Sequence, residues 1–309
     1  MLEGDRRALA RAITLVEART REGEELVRRV YPRTGRAATI GVTGPPGVGK
    51  STLVGALTRH VRDLGKTVGV VSVDPSSPFT RGALLGDRIR LADHFLDPDV
   101  YIRSMGTRGH LGGLAEATLE TLLLVDASGK DVIFLETVGT GQSEVEVIGS
   151  VDQVLLVLMP GSGDSVQALK AGIMEIPDVI AVNKLDHPAA RTMAQEVRSI
   201  VALEPDRDRR PAILLTEAVR GDGVPELWVA LEARRAALAE RGELDERRRR
   251  NLEAEVEALA VSRLREHARR AMGEDAHVRD LVVGVGRREV DPLTAVAALV
   301  EAVVAGERS

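Results

Sequence analysis

Between Thr39 and Thr216, seven short runs rich in Val, Ile and Leu alternate with stretches of helical periodicity, and nothing else in the chain limits its fold so tightly. The runs are TIGVTG (39–44), TVGVVSVD (67–74), VYIRSM (100–105), DVIFLETVG (131–139), QVLLVLMP (153–160), DVIAVNK (178–184) and PAILLT (211–216). Several are apolar almost throughout, as strands covered on both faces are. Helical segments between them imply crossover connections, so the expected fold is α/β, with a doubly wound, mainly parallel sheet. Such sheets bind ligands beyond the carboxyl ends of their strands.

The first run leads into Gly44-Pro45-Pro46-Gly47-Val48-Gly49-Lys50-Ser51, with Thr52 next, and fits G-x-x-x-x-G-K-S/T in full. Glycines let such a loop curl until several backbone N–H groups face one anion. A helix predicted from about Lys50 to Leu64 adds the positive end of its dipole. Lys50 would reach the β- and γ-phosphates, and the Ser51 hydroxyl would sit on Mg²⁺. The motif by itself does not separate ATP from GTP. Asn183-Lys184-Leu185-Asp186, at the end of the sixth run, does. A carboxylate at Asp186 accepts from N1–H and the exocyclic amine of guanine, whereas adenine would meet it lone pair to lone pair. After the next run, Thr216-Glu217-Ala218 occupies the place where a backbone N–H commonly contacts guanine O6, although Ser-Ala is the commoner pair there.

Acidic residues supply candidate metal ligands. Asp74 and Glu136 end strands on the nucleotide side, and Asp87 follows the glycine-rich stretch RGALLG (81–86). Oxygen donors of this kind suit Mg²⁺, completed by phosphate and water. Gly139, in Glu136-Thr137-Val138-Gly139, occupies the position of a γ-phosphate-sensing glycine. Gln142 lies three residues beyond it, not adjacent as a water-orienting glutamine would be, so slow intrinsic hydrolysis is expected.

The flanks differ from this middle portion. Residues 1–36 read as a helical extension, 37–235 as the nucleotide-binding domain, and 236–309 as a helical arm rich in Arg, Glu, Ala and Leu. The last helix, from Pro292, carries Leu293, Val296, Leu299, Val300 and Val303, too apolar a set to stand alone. Arg247–Arg250, flanked by Glu243, Asp245 and Glu246, reads as a solvated helix face. A formal charge of −5 over 309 residues gives no footprint for nucleic acid. No apolar run is long enough to span a membrane, and the amino-terminal stretch does not read as a signal peptide, so the cytoplasm is the default location. With no cysteine and six scattered histidines, the chain shows no thiolate or His-pair metal site.

These motifs, with VDPSSPFTRGALLGDRIR (73–90), ETVGTGQSE (136–144) and PGSGDSVQALKAGIMEIPDVIAVNKLD (160–186), resemble the MeaB/ArgK-type G proteins, which include the methylmalonic aciduria type A protein. The resemblance runs over nearly the whole chain. It implies a GTPase that cycles between GTP and GDP with Mg²⁺ and serves an adenosylcobalamin-dependent acyl-CoA mutase of the methylmalonyl-CoA type, gating its cofactor loading and protecting it. It further implies that Asp74, Asp87 and Glu136 are metal and switch residues; the candidate catalytic residues of the chain are Lys50, Glu136 and Gln142. Asp164, Gln167 and Lys170 fall in a nucleotide-responsive segment facing the mutase, and the C-terminal helices form a homodimer arm. Ser165-Val166 departs from the acidic-Leu pair common there. The alternative is a GTPase of the nickel-insertion accessory type, which shares the fold and the guanine motif but delivers metal through Cys/His clusters.

Overall fold

The computed structural model describes residues 1–2, 4–74, 94–106, 111–137, 150–161 and 177–306. All seven apolar runs form strands: β1 (Ala38–Thr43), β2 (Val68–Asp74), β3 (Val100–Gly106), β4 (Val132–Thr137), β5 (Gln153–Leu158), β6 (Val179–Val182) and β7 (Ala212–Leu215). They make one sheet in the order β3-β2-β4-β1-β5-β6-β7, with every described pairing parallel. β1 lies between β4 and β5, so the chain crosses over it between those two strands. That is the switch point at which such sheets open a crevice.

Nine α-helices are described: α1 (Arg6–Glu17), α2 (Arg21–Val30), α3 (Lys50–Asp63), α4 (Leu111–Ala127), α5 (Ala190–Val201), α6 (Val224–Glu240), α7 (Glu243–Glu274), α8 (Ala276–Gly286) and α9 (Pro292–Gly306). On one face of the sheet, Leu53, Val54 and Leu57 of α3 and Leu227, Trp228 and Leu231 of α6 pack on Ile40, Val70, Phe134 and Leu155. On the other, α4 brings Leu124 and Val125 against Val71, Ile133 and Leu135. The helix α1 joins that second core. Its Leu9, Ala12, Ile13 and Val16 recur at helical spacing, so one stripe is buried while Arg11 between them faces outward. Residues of β4, β5 and β6 are buried throughout, which is why those runs carry no polar alternation.

Two compact units are distinguished, Met1–Leu252 and Glu253–Ser309. In the second, α8 and α9 pack on each other, with Val278 and Ala295 buried. Leu293, Val296 and Val300 of α9 stay exposed, at 78, 53 and 56%.

The arginine run departs from its reading as a solvated face. Arg249 does pair with Glu246 at the surface, and Arg250 points the same way. Arg247 and Arg248 instead reach beneath the amino ends of β5 and β6, where two carboxylates are buried. Asp178 accepts from the backbone N–H of Val154 at 2.9 Å, from Arg234 at 3.2 Å and from both arms of Arg247 at 2.7 and 3.2 Å. Asp152 accepts from the N–H of Thr39 and, at 2.6 and 2.7 Å, from the fork of Arg248. That pairing holds the Arg248 guanidinium above its ordinary pKa. Arg248 also donates to the carbonyls of Gly35 and Ala37, and Asp126 accepts from their N–H groups, so the lead-in to β1 is gripped from both sides.

Removing one partner of a buried pair leaves the other charge uncompensated, at a cost of about 3–5 kcal/mol. Asp178→Ala strands Arg234 and Arg247, whose side chains are 15 and 26% exposed and can recover some hydration. The expected loss is therefore at the low end, about 3 kcal/mol in urea unfolding of the full chain. Arg249→Ala should leave the transition where it is. Equal effects from the two would show that Asp178 is no more than a surface partner.

Candidate nucleotide site

The first loop of the site needs glycine for steric reasons. Gly44, just after β1, has φ 143°, and a Cβ there would lie 2.1 Å from the carbonyl oxygen of Val157 on β5. Gly49, with φ 92°, caps α3, and a Cβ would lie 2.6 Å from the amide nitrogen of Asn183. No side chain caps that helix, so its first-turn N–H groups are left to an anion. Pro46 and Gly47 form the exposed crest of the loop, while Pro45 and Val48 are buried and Thr52 is half-buried.

Lys50 and Ser51 open α3 and are both buried. The Lys50 ammonium donates to the carbonyl oxygens of Gly44 at 2.6 Å and Pro45 at 3.1 Å, so it lies across the loop it follows. Ser51 Oγ donates to Oε1 of Glu136 at 2.6 Å. Glu136 is on β4 beside β1, in register with Val42, and is itself buried. Two hard oxygen donors thus meet at the start of the helix, a set that suits Mg²⁺.

The base segment is tied to this loop through Asn183. Its amide donates to the carbonyl of Val48 at 2.9 Å, and its oxygen accepts from Thr216 Oγ1 at 3.2 Å and from the Ala218 N–H at 3.1 Å. The N–H of Leu185 closes the link by donating to the carbonyl of Thr216. Asn183 and Thr216 are almost wholly buried, and the Ala218 N–H is taken. These three brace the site from within, a role that the motif spacing did not reveal for Thr216 and Ala218. Lys184 and Asp186 are exposed, and Lys184 turns the chain with φ 61°, an uncommon value for a residue with a side chain. Glu217 is turned aside: its carboxylate pairs with Arg220, and its N–H donates to the carbonyl of Asp222.

The structure thus brings Gly44–Thr52, Glu136, Asn183 and Thr216–Ala218 to one edge of the sheet. Asp74 closes β2 at the same edge, in register with Gly106. The side chain of Asp74, together with Asp87, Gln142, Asp164, Gln167 and Lys170, lies outside the described residues.

The model of the methylmalonyl Co-A mutase-associated GTPase MeaB family matches residues 9–274. A relative from Pyrococcus abyssi is 44% identical over 310 residues, covering 99% of this chain and 95% of its own. The GTPase ArgK of Escherichia coli is 34% identical over 309 residues, covering 97 and 93%. Among solved structures, a LAO/AO transport system kinase superposes with a TM-score of 0.69 at 28% identity, over 97% of this chain and 94% of its own. Because the matched stretch takes in the phosphate loop, the base segment and the brace between them, the chain belongs to the MeaB family of methylmalonyl-CoA mutase-associated GTPases.

Proposed function

We propose that this chain binds GTP at the loop 44–51, hydrolyses it slowly to GDP, and uses that cycle to gate cofactor loading of an adenosylcobalamin-dependent acyl-CoA mutase. The observation that carries the nucleotide part is the Asn183 brace, which makes one site of the phosphate loop and the base segment. Support for the mutase comes from the family match. In this reading Lys50 holds phosphate, Asp186 reads the base, and Ser51 with Glu136 holds Mg²⁺, Asp74 and Asp87 completing the acidic set. Bound there, Mg²⁺ neutralises charge on the β- and γ-phosphate oxygens. Asp164, Gln167 and Lys170 would carry the nucleotide state to the mutase, and Gln142 would act on water only when a partner orders its loop. The exposed apolar residues of α9 give the homodimer arm its surface. No described helix is long and apolar enough to cross a membrane, and we place the protein in the cytoplasm.

The test is GTP turnover by the purified full chain, alone and with a mutase of the methylmalonyl-CoA type. The mutase should raise the rate, and ATP should not substitute for GTP. Glu136→Gln should keep GDP affinity within about threefold while turnover falls at least about tenfold, since the metal matters most as charge develops on the γ-phosphate. A variant as fast as the parent removes Glu136 from the metal set. A mutase that neither binds nor stimulates removes the partner.

A further inference from the structure

Four side-chain hydroxyls among the described residues are buried with no hydrogen-bond partner: Thr58, Ser72, Thr121 and Thr137. A hydroxyl in that state destabilises the fold unless something else meets it, such as a water, an ion or a side chain that moves. Ser72 is the one whose position is tied to the site. It is 3% exposed, and β2 pairs with β4 in parallel with Ser72 directly beside Glu136. Adjacent strands lie about 4.8 Å apart, and in-register neighbours project to the same face. Two residues earlier on each strand, Val70 and Phe134 lie in the core beneath Leu53 and Leu57 of α3. Ser72 and Glu136 therefore stand side by side under the amino end of α3, where Ser51 meets the carboxylate. Thr137 is a chain neighbour of Glu136 but alternates to the opposite face, shared with Val71, Val73 and Leu135.

We propose that Ser72 is a positioning residue of the Mg²⁺–nucleotide site, its hydroxyl donating to the Glu136 carboxylate when the ion is bound and holding that carboxylate toward Ser51. A carboxylate can accept about four hydrogen bonds, so Glu136 can take Ser72 without releasing Ser51. The inference rests on Glu136 being part of the Mg²⁺ site.

The experiment compares the parent, Ser72→Ala and Ser72→Thr as full chains in two assays. Fluorescent GDP release is followed as Mg²⁺ is titrated, and thermal unfolding is followed without nucleotide. Ser72→Ala should raise the Mg²⁺ concentration that half-suppresses GDP release by about tenfold, the size expected for one hydrogen bond to a charged group. Its GDP affinity in chelator should stay within about twofold of the parent, and its nucleotide-free unfolding temperature should hold or rise, because an unpaired hydroxyl has gone. Ser72→Thr, which keeps the hydroxyl, should restore the parent's Mg²⁺ dependence. A parental Mg²⁺ midpoint in Ser72→Ala overturns the proposal, as does an equal loss of GDP with and without Mg²⁺. A parent whose GDP release ignores Mg²⁺ overturns the metal reading beneath it.

Discussion

Lys50→Ala is expected to lose GTP and GDP binding by about a thousandfold in isothermal titration, more than any other single change in the chain. The ammonium is already drawn over the loop, 2.6 Å from the carbonyl of Gly44 and 3.1 Å from that of Pro45. Those carbonyls hold the ammonium against the loop that a phosphate chain would enter. A hydrogen bond to a charged group contributes about 1.5–3 kcal/mol, and an ammonium bridging two phosphates makes two of them. Their sum, about 3–6 kcal/mol, corresponds to a factor of about 10²–10⁴. Lys50→Arg should not restore binding, because a planar fork does not fit where a compact point charge lies among backbone carbonyls. The variant should remain folded, since the cores on both sheet faces are built without Lys50. GDP affinity within tenfold of the parent would show that the loop holds phosphate through its backbone alone.

The strands were legible because burial on both faces writes itself into consecutive residues: TVGVVSVD has room for little besides a covered strand. The phosphate loop was legible for a similar reason. A Cβ at Gly44 would lie 2.1 Å from the carbonyl oxygen of Val157, so only glycine fits and the motif records a steric fact. Contacts between segments far apart in the chain leave no local trace. Arg247 and Arg248 look solvated because Glu243, Asp245 and Glu246 are their neighbours in sequence, yet their partners are Asp178 and Asp152, 69 and 96 residues away. A signal was present in those aspartates. Each directly precedes a fully buried strand, where a carboxylate must find a donor. Thr216-Glu217-Ala218 ends a strand at the ligand edge, but nothing local in it shows where the Thr216 hydroxyl goes. It is completely buried and donates to Asn183. Register was equally out of reach, and it is register that sets Ser72 beside Glu136.

Because Asn183 and Thr216 spend their polar atoms on each other, on Val48 and on Ala218, base selection is expected to fall to the exposed carboxylate of Asp186. The backbone before it is fastened to the brace. Lys184 makes a left-handed turn, and the Leu185 N–H is fastened to the Thr216 carbonyl at 3.0 Å, so Asp186 leaves the brace in a set direction. A carboxylate offers two acceptor oxygens to the N1–H and exocyclic N–H of guanine. Asp186→Asn keeps one acceptor and turns the other into a donor that meets the exocyclic amine head on. One charge-assisted hydrogen bond is weakened and the second becomes a clash of donors, together about 3–4 kcal/mol, or a loss in GDP affinity of a few hundredfold. Xanthine carries a carbonyl where guanine has that amine, so its N1–H and O2 match the asparagine amide donor for acceptor. The same substitution should therefore make xanthosine diphosphate the better ligand, reversing the order expected of the parent. Titration of both nucleotides into both proteins measures the reversal directly. If Asp186→Asn binds GDP as the parent does, guanine is read elsewhere, and Asp186 is only the surface end of a well-braced turn.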